Sequence, residues 1–189
     1  WDKEIEGINV TVPFKNKVID YLDQLSVASN NTQSVNTISF EKNKLVGHNT
    51  DIDGFEQAIK DIRFNLTGKK IFIIGAGGVA PSIIFSLKRM NVSQITLSNR
   101  TQSKAEKLVK LFPDLKVLKW GEIPNFDMII NATSLGLKDS DNIDLDFSKI
   151  GSGKLFYDII YNPKETNFLK MAKSLGNLAE NGKKMFIYQ

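Results

Sequence analysis

Apolar residues in this 189-residue chain recur with two spacings. Unbroken runs such as Ile71-Phe72-Ile73-Ile74 and Met128-Ile129-Ile130 have the length of strands covered on both faces. Between such runs, apolar residues return every three or four positions, as on a helix with one buried side. Phe55, Ala58, Ile59 and Ile62 mark a helix over Asp51–Ile62, with acidic residues in its first turn. The same patterns predict strands at Lys70–Ile74, 95–98, Lys116–Leu118, Met128–Asn131 and Leu155–Asp158. They predict helices at 79–90, 101–111 and 166–175. Strands and helices alternating at these lengths imply an α/β fold, a parallel sheet with helices on both faces.

The first third has a different rhythm. Residues 8–12 are β-branched enough for a strand, which Pro13 ends. Residues 16–25 read as a helix with Val18, Ile19, Leu22 and Leu25 on one side. Residues 35–40 and 44–46 read as two strands around a Lys42-Asn43 turn. A turn-like break at 65–68 marks a domain boundary, with a smaller segment before it. There is no internal repeat and no low-complexity stretch.

Composition narrows the class. The chain is 41% apolar and 24% charged, ordinary for a globular protein of a length that buries a real core. No apolar run is long enough to span a bilayer, so no membrane partner is expected. The charged opening Trp1-Asp2-Lys3-Glu4 does not read as a signal peptide. Because the first residue is Trp rather than Met, a fragment, a processed form or a trimmed chain is expected. With no cysteine, disulfides, thiolate metal sites and a cysteine nucleophile are excluded. A histidine-built metal site or a Ser-His-Asp triad would have His48 alone to draw on; no metal is expected. The net charge is +4, but the lysines are scattered and mixed with acids. That pattern speaks against nucleic acid and suits a polyanionic cofactor and a carboxylate substrate.

The sharpest motif is Gly75-Ala76-Gly77-Gly78-Val79-Ala80, directly after a strand and opening a helix. Gly75 permits the tight turn, Gly77 lets the backbone approach a pyrophosphate, and Ala80 lets the helix pack on the strand. The helix start offers N–H groups and partial positive charge to phosphates. Without its context, the same stretch is simply a tight turn. About twenty residues further on, where an acid would hold the ribose 2′-hydroxyl of NAD, the chain has Asn99-Arg100-Thr101. A guanidinium suits a 2′-phosphate, so NADP is preferred over NAD. Asn131-Ala132-Thr133-Ser134 follows another strand end, where ligands of open α/β sheets sit, although these residues serve equally as a turn.

Lys15 lies just past a strand end and Asp51 at a helix start. A lysine and a carboxylate in one cleft form a proton-transfer pair suited to carbonyl reduction. Taken singly, Asp51 is equally a helix cap and Lys15 a solvated lysine.

Taken together these segments resemble the shikimate dehydrogenases. Asn9-Val10-Thr11-Val12-Pro13-Phe14-Lys15, Val35-Asn36-Thr37, Asn49-Thr50-Asp51 and Gly54-Phe55 follow the family's signature series. The order continues with the glycine turn, Asn99-Arg100-Thr101, Asn131 to Gly136, Asp158, Tyr161-Asn162-Pro163, Thr166, Asn181-Gly182, Met185 and Gln189. The resemblance implies reversible NADPH-dependent reduction of 3-dehydroshikimate to shikimate, a step of aromatic amino acid precursor synthesis, in the cytoplasm. It implies that Lys15 and Asp51 are the catalytic pair. Thr11, Asn36, Tyr161 and Gln189 would bind substrate, with Asn36 and Asp51 sharing one hydroxyl. Asn99, Arg100 and Thr101 would hold the 2′-phosphate, Thr133 and Ser134 would border the cofactor, and Gly182 and Met185 would lie beside the nicotinamide. The fold implied is a Rossmann-like doubly wound parallel sheet preceded by a smaller, partial α/β substrate domain. Residues 1–64 would form the substrate domain, 65–180 the NADP domain, and 181–189 the start of a helix returning to the first. The protein would be a monomer or homodimer.

The family pattern opens with a strand and helix bearing a serine-x-serine motif, and it continues past the position of Gln189. Poor substrate binding by this chain, with weak or no activity, is the expectation. Ser34 stands where the family usually has alanine, a change expected to be tolerated. Two alternatives remain: an enzyme acting on quinate or on both acids, and a dinucleotide-binding module without chemistry.

Overall fold

The computed structural model describes residues 5–189; residues 1–4, the charged opening noted above, lie outside them. The smaller sheet contains β1 (Gly7–Asn9), β2 (Gln24–Leu25), β3 (Thr37–Glu41) and β4 (Lys44–His48) in the order β1-β3-β4-β2. β3 and β4 form an antiparallel hairpin. Lys42 and Asn43 both have positive φ, 48° and 63°, the two-residue turn whose twist matches the flanking strands. A polar helix, α1 (Val27–Thr32), precedes β3; its Ser26 cap accepts a hydrogen bond from the Ser29 N–H.

Two expectations for this segment are corrected. The strand expected over 8–12 ends at Asn9. Val10 N–H still reaches the Asn36 carbonyl, but the chain then turns, with Phe14 N–H bonded to the Thr11 carbonyl. The helix expected over 16–25 is a 3₁₀ turn at Lys17–Tyr21 followed by strand β2. Pairing with β4 captures its last residues, Gln24 against Val46 and Leu25 against Gly47, and overrides the helical spacing.

The larger sheet is parallel throughout. Its strands are β5 (Lys70–Ile74), β6 (Gln94–Ser98), β7 (Lys116–Leu118), β8 (Met128–Asn131), β9 (Leu155–Asp158) and β10 (Leu178–Glu180), in the order β10-β9-β8-β5-β6-β7. The helices are α2 (Asp51–Ile62), α3 (Ala80–Arg89), α4 (Gln102–Leu111), α5 (Asn167–Ser174) and α6 (Lys183–Tyr188). This is the doubly wound, Rossmann-like arrangement, and its order reverses between β5 and β8. The unbroken apolar runs are explained by the period of two. Ile71, Ile73, Met128, Ile130, Leu155 and Tyr157 enter one core, with residues from α2, α3 and α4. Phe72, Ile74, Ile129 and Phe156 enter the other, against α5 and the aromatic cluster of Phe126, Phe147 and Phe168.

α2 fixes the site. It carries Asp51 at its first position and buries Phe55, Ala58 and Ile59 in the larger core. Phe55 meets Tyr157 of β9 edge to face at 5.5 Å. Burying Phe55 and Ile59 contributes about 1.5–3 kcal/mol each, so Asp51 is anchored to the large sheet. α6 lies against α2, and the Tyr188 hydroxyl donates to Asp61 at 2.7 Å. Among the described residues no helix is long and apolar enough to cross a membrane.

Candidate active site

A cleft of about 770 Å³ opens at the carboxyl ends of the parallel strands, over the point where the strand order reverses. Its walls come from the glycine turn after β5, residues 99–101 after β6, residues 132–135 after β8, residues 159–162 after β9, and α6. Thr11, Val12, Lys15 and Asp51 close it from the side of the smaller sheet.

Gly75 and Gly77 have different reasons to be glycine. Gly75 has φ +106°, and a Cβ there would lie 2.7 Å from Thr133 Cγ2 and 2.9 Å from the Ala132 carbonyl oxygen. The fold itself requires that glycine. A Cβ on Gly77 would meet only the Ala132 oxygen, at 3.6 Å, an ordinary contact. The protein does not need glycine at 77. A phosphate lying against the backbone does, and the turn therefore fits a dinucleotide. Asn99 braces the turn from β6. Its Oδ1 accepts from Ala76 N–H at 3.1 Å and its Nδ2 donates to the Thr101 carbonyl at 2.8 Å.

Arg100 and Lys104 line the far end of the cleft, with Trp120 nearby. Two cations there suit a phosphorylated ribose, and Lys104 was not among the residues picked out from sequence. It lies four residues after Arg100, in the first turn of α4 (Gln102–Leu111), and a second cation so close behind the arginine is the signal that could have found it.

At the other end, Lys15 Nζ donates to Asp51 Oδ2 at 2.5 Å. The pair is nearly enclosed, with side-chain exposures of 12% and 2%. Asp51 Oδ1 accepts from Asn36 Nδ2 at 3.0 Å. Asn36 Oδ1 in turn accepts from Thr50 N–H at 2.9 Å, so both carboxylate oxygens are held before any ligand arrives. Tyr161 stacks on Phe186 with ring centroids 4.5 Å apart, and both border the cleft. Phe186 is a second residue that sequence reading missed, since it reads there as one apolar position of a terminal helix.

Behind this wall lies a buried carboxylate. Asp158 accepts from Asn131 Nδ2 at 3.0 Å, from Ile160 N–H at 3.0 Å and from the Thr166 hydroxyl at 2.6 Å. Burial outweighs these donors and pushes its pKa up to about 6. Asn131 also accepts from Thr133 N–H and hydroxyl, so one network ties together the loops after β8 and β9.

Of the residues picked out from sequence, the cleft gathers Thr11, Lys15, Asp51, Tyr161, Gln189, Gly75 to Val79, Asn99, Arg100, Thr101, Thr133, Ser134, Gly182 and Met185. Asn36 stands behind Asp51 rather than on the wall, and Ala80 is buried beneath the start of α3. No group of metal-ligating side chains occurs among the described residues.

A family model described as shikimate / quinate 5-dehydrogenase matches residues 56–143, and one described as shikimate dehydrogenase substrate binding domain matches residues 1–38. The shikimate dehydrogenase (NADP(+)) of Pelagibacter ubique is 53% identical over 187 residues, 99% of this chain and 71% of that protein. The crystal structure of shikimate dehydrogenase from Aquifex aeolicus is similar with a TM-score of 0.89 at 38% identity, covering 97% of this chain and 68% of that one. The Thermus thermophilus enzyme in complex with NADP(H) and shikimate is similar with a TM-score of 0.88 at 28% identity, covering 98% and 70%.

Proposed function

The chain belongs to the shikimate dehydrogenase family, and on that premise we propose that its cleft interconverts 3-dehydroshikimate and shikimate, with Lys15 and Asp51 as the proton-transfer pair. It is an oxidoreductase, and NADP is its cofactor. The observation that carries the catalytic reading is the Lys15–Asp51 pair, enclosed at 2.5 Å at the substrate end of a cleft whose other end suits a dinucleotide.

The nicotinamide supplies or accepts the hydride. The protein handles the proton. In reduction the substrate carbonyl carbon gains the hydride and its oxygen gains negative charge. The Lys15 ammonium donates a proton to that oxygen, leaving the alcohol and a neutral amine. Asp51 aims the ammonium through Oδ2 and receives a substrate hydroxyl, while Asn36, behind it, braces Oδ1. Oxidation runs the same steps backward.

Thr11, Tyr161 and Gln189 bind the substrate's remaining polar groups. Arg100, assisted by Lys104, holds the 2′-phosphate, and the N–H groups of the glycine turn hold the pyrophosphate. Gly182 and Met185 flank the nicotinamide. In this reading residues 1–64 form the substrate side, 65–180 the cofactor side, and 181–189 return to the first.

Lys15→Ala tests the pair. Turnover falls about 10²–10⁴-fold, while NADP affinity measured by calorimetry stays within about threefold, since no cofactor charge is lost. Turnover near that of the parent chain would remove Lys15 from the chemistry.

A further inference from the structure

Three consecutive residues leading into β3 reach three different parts of the cleft. The Ser34 hydroxyl donates to the Gly78 carbonyl at 3.1 Å, across 44 residues of sequence. Val35 N–H donates to the Lys15 carbonyl at 2.7 Å. Asn36 Nδ2 donates to Asp51 at 3.0 Å. One short extended segment thus touches the phosphate turn, the lysine and the carboxylate. Ser34 is itself held, being 2% exposed, with its carbonyl accepting from Asn49 Nδ2 at 3.1 Å. Asn49 Nδ2 also reaches the Ser82 hydroxyl of α3 at 2.9 Å. The seam between the smaller sheet and the glycine turn is therefore polar and satisfied, and Ser34 is its link to the turn itself.

We propose that Ser34 is a positioning residue for the cofactor: its hydroxyl sets the Gly78–Val79 peptide so that the turn is ready for a dinucleotide pyrophosphate. The reason is geometric. The Gly78–Val79 bond is trans, so its carbonyl and N–H point in opposite directions. A hydrogen bond that fixes the Gly78 carbonyl toward Ser34 fixes the Val79 N–H away from it, at the opening of α3. Glycine is the residue most free to rotate such a peptide, so a turn with Gly77 and Gly78 in sequence gains order from an outside hydrogen bond. Ser34 supplies it, and from the substrate side of the cleft. The inference rests on the reading that this turn holds NADP.

The test is calorimetric titration of NADP into the parent chain, Ser34→Ala and Ser34→Cys, with shikimate titrated into each without cofactor. Losing one neutral hydrogen bond weakens NADP binding about three- to tenfold. Cysteine keeps the bulk but donates weakly, so it binds NADP like alanine rather than like serine. Shikimate affinity is unchanged in both variants, and thermal melting confirms that each is folded. NADP affinity equal to the parent's in Ser34→Ala overturns the inference and leaves the cofactor reading standing. Equal loss of NADP and shikimate affinity reassigns Ser34 to general stability and also overturns it. A parent chain that does not bind NADP sinks both readings together.

Discussion

Gly54 and Met185 approach so closely that a Cβ on residue 54 would lie 2.8 Å from the Met185 carbonyl oxygen. The same Cβ would stand 3.0 Å from Cβ of Gln189. One turn before Gly54 is Asp51, so the crossing of α2 and α6 brings Asp51, Met185 and Gln189 to one cleft. Gly54→Ala sets two effects against each other. Alanine gains about 1 kcal/mol of helix propensity, and overpacking against backbone costs about 1–3 kcal/mol. Backbone cannot swing aside as a long side chain can, so α6 moves. The expected result is a small change in melting temperature with a rise of tenfold or more in KM for shikimate. Unchanged kinetics would show that α6 does not position the substrate end.

Arg100 is the residue proposed to set cofactor choice. Charge-assisted hydrogen bonds of its guanidinium to a phosphate contribute about 1.5–3 kcal/mol. Arg100→Ala should lower kcat/KM with NADP about 10–100-fold and change kcat/KM with NAD less than threefold. Lys104→Ala should act in the same direction more weakly, as a point charge without a paired fork. Parallel steady-state assays with the two cofactors decide it. An equal loss with both would place Arg100 in turn stability rather than in phosphate recognition.

Asp158 gives a pH signature in stability. Its folded pKa of about 6 lies above the ordinary 3.8 because burial disfavours the carboxylate. Between those values the native chain holds a proton that the unfolded chain has released, so stability falls as pH rises through the window. The shift corresponds to about 3 kcal/mol, favouring the native state below pH 3.8 and absent above pH 6. Asp158→Asn keeps the shape and removes the titration. Urea unfolding of both proteins across this range should show the parent losing up to that amount relative to the variant, since the other carboxylates cancel in the comparison. A flat difference would mean that Asp158 ionises inside the fold without penalty.

The larger sheet was legible because its strands are covered on both faces. Lys70–Ile74, Lys116–Leu118, Met128–Asn131 and Leu155–Asp158 fall where the apolar runs place them. Asp51–Ile62 was legible because its buried side repeats at helical spacing. Two short elements were not. β10 (Leu178–Glu180) is three residues without a β-branched side chain, formed by pairing with β9. α1 (Val27–Thr32) buries Ser29 and Thr32 rather than apolar residues, so no hydrophobic stripe announces it. In the cleft, Lys15, Asp51 and the glycine turn carry local signatures. The Ser34 link to Gly78 carries none, because it joins residues 44 apart and uses a side chain that reads as a tolerated change.

NADP-dependent oxidoreduction of shikimate is the chemistry proposed for this cleft. Its most direct test is the absorbance of reduced nicotinamide as the purified chain meets shikimate with NADP, run beside shikimate with NAD, quinate with NADP, and Lys15→Ala. Reduced cofactor is expected from shikimate and NADP at a low rate, in keeping with the poor substrate binding expected of this chain, with much less from the other two pairings and almost none from Lys15→Ala. Turnover of quinate in preference to shikimate, or full activity in Lys15→Ala, would overturn that reading of the cleft.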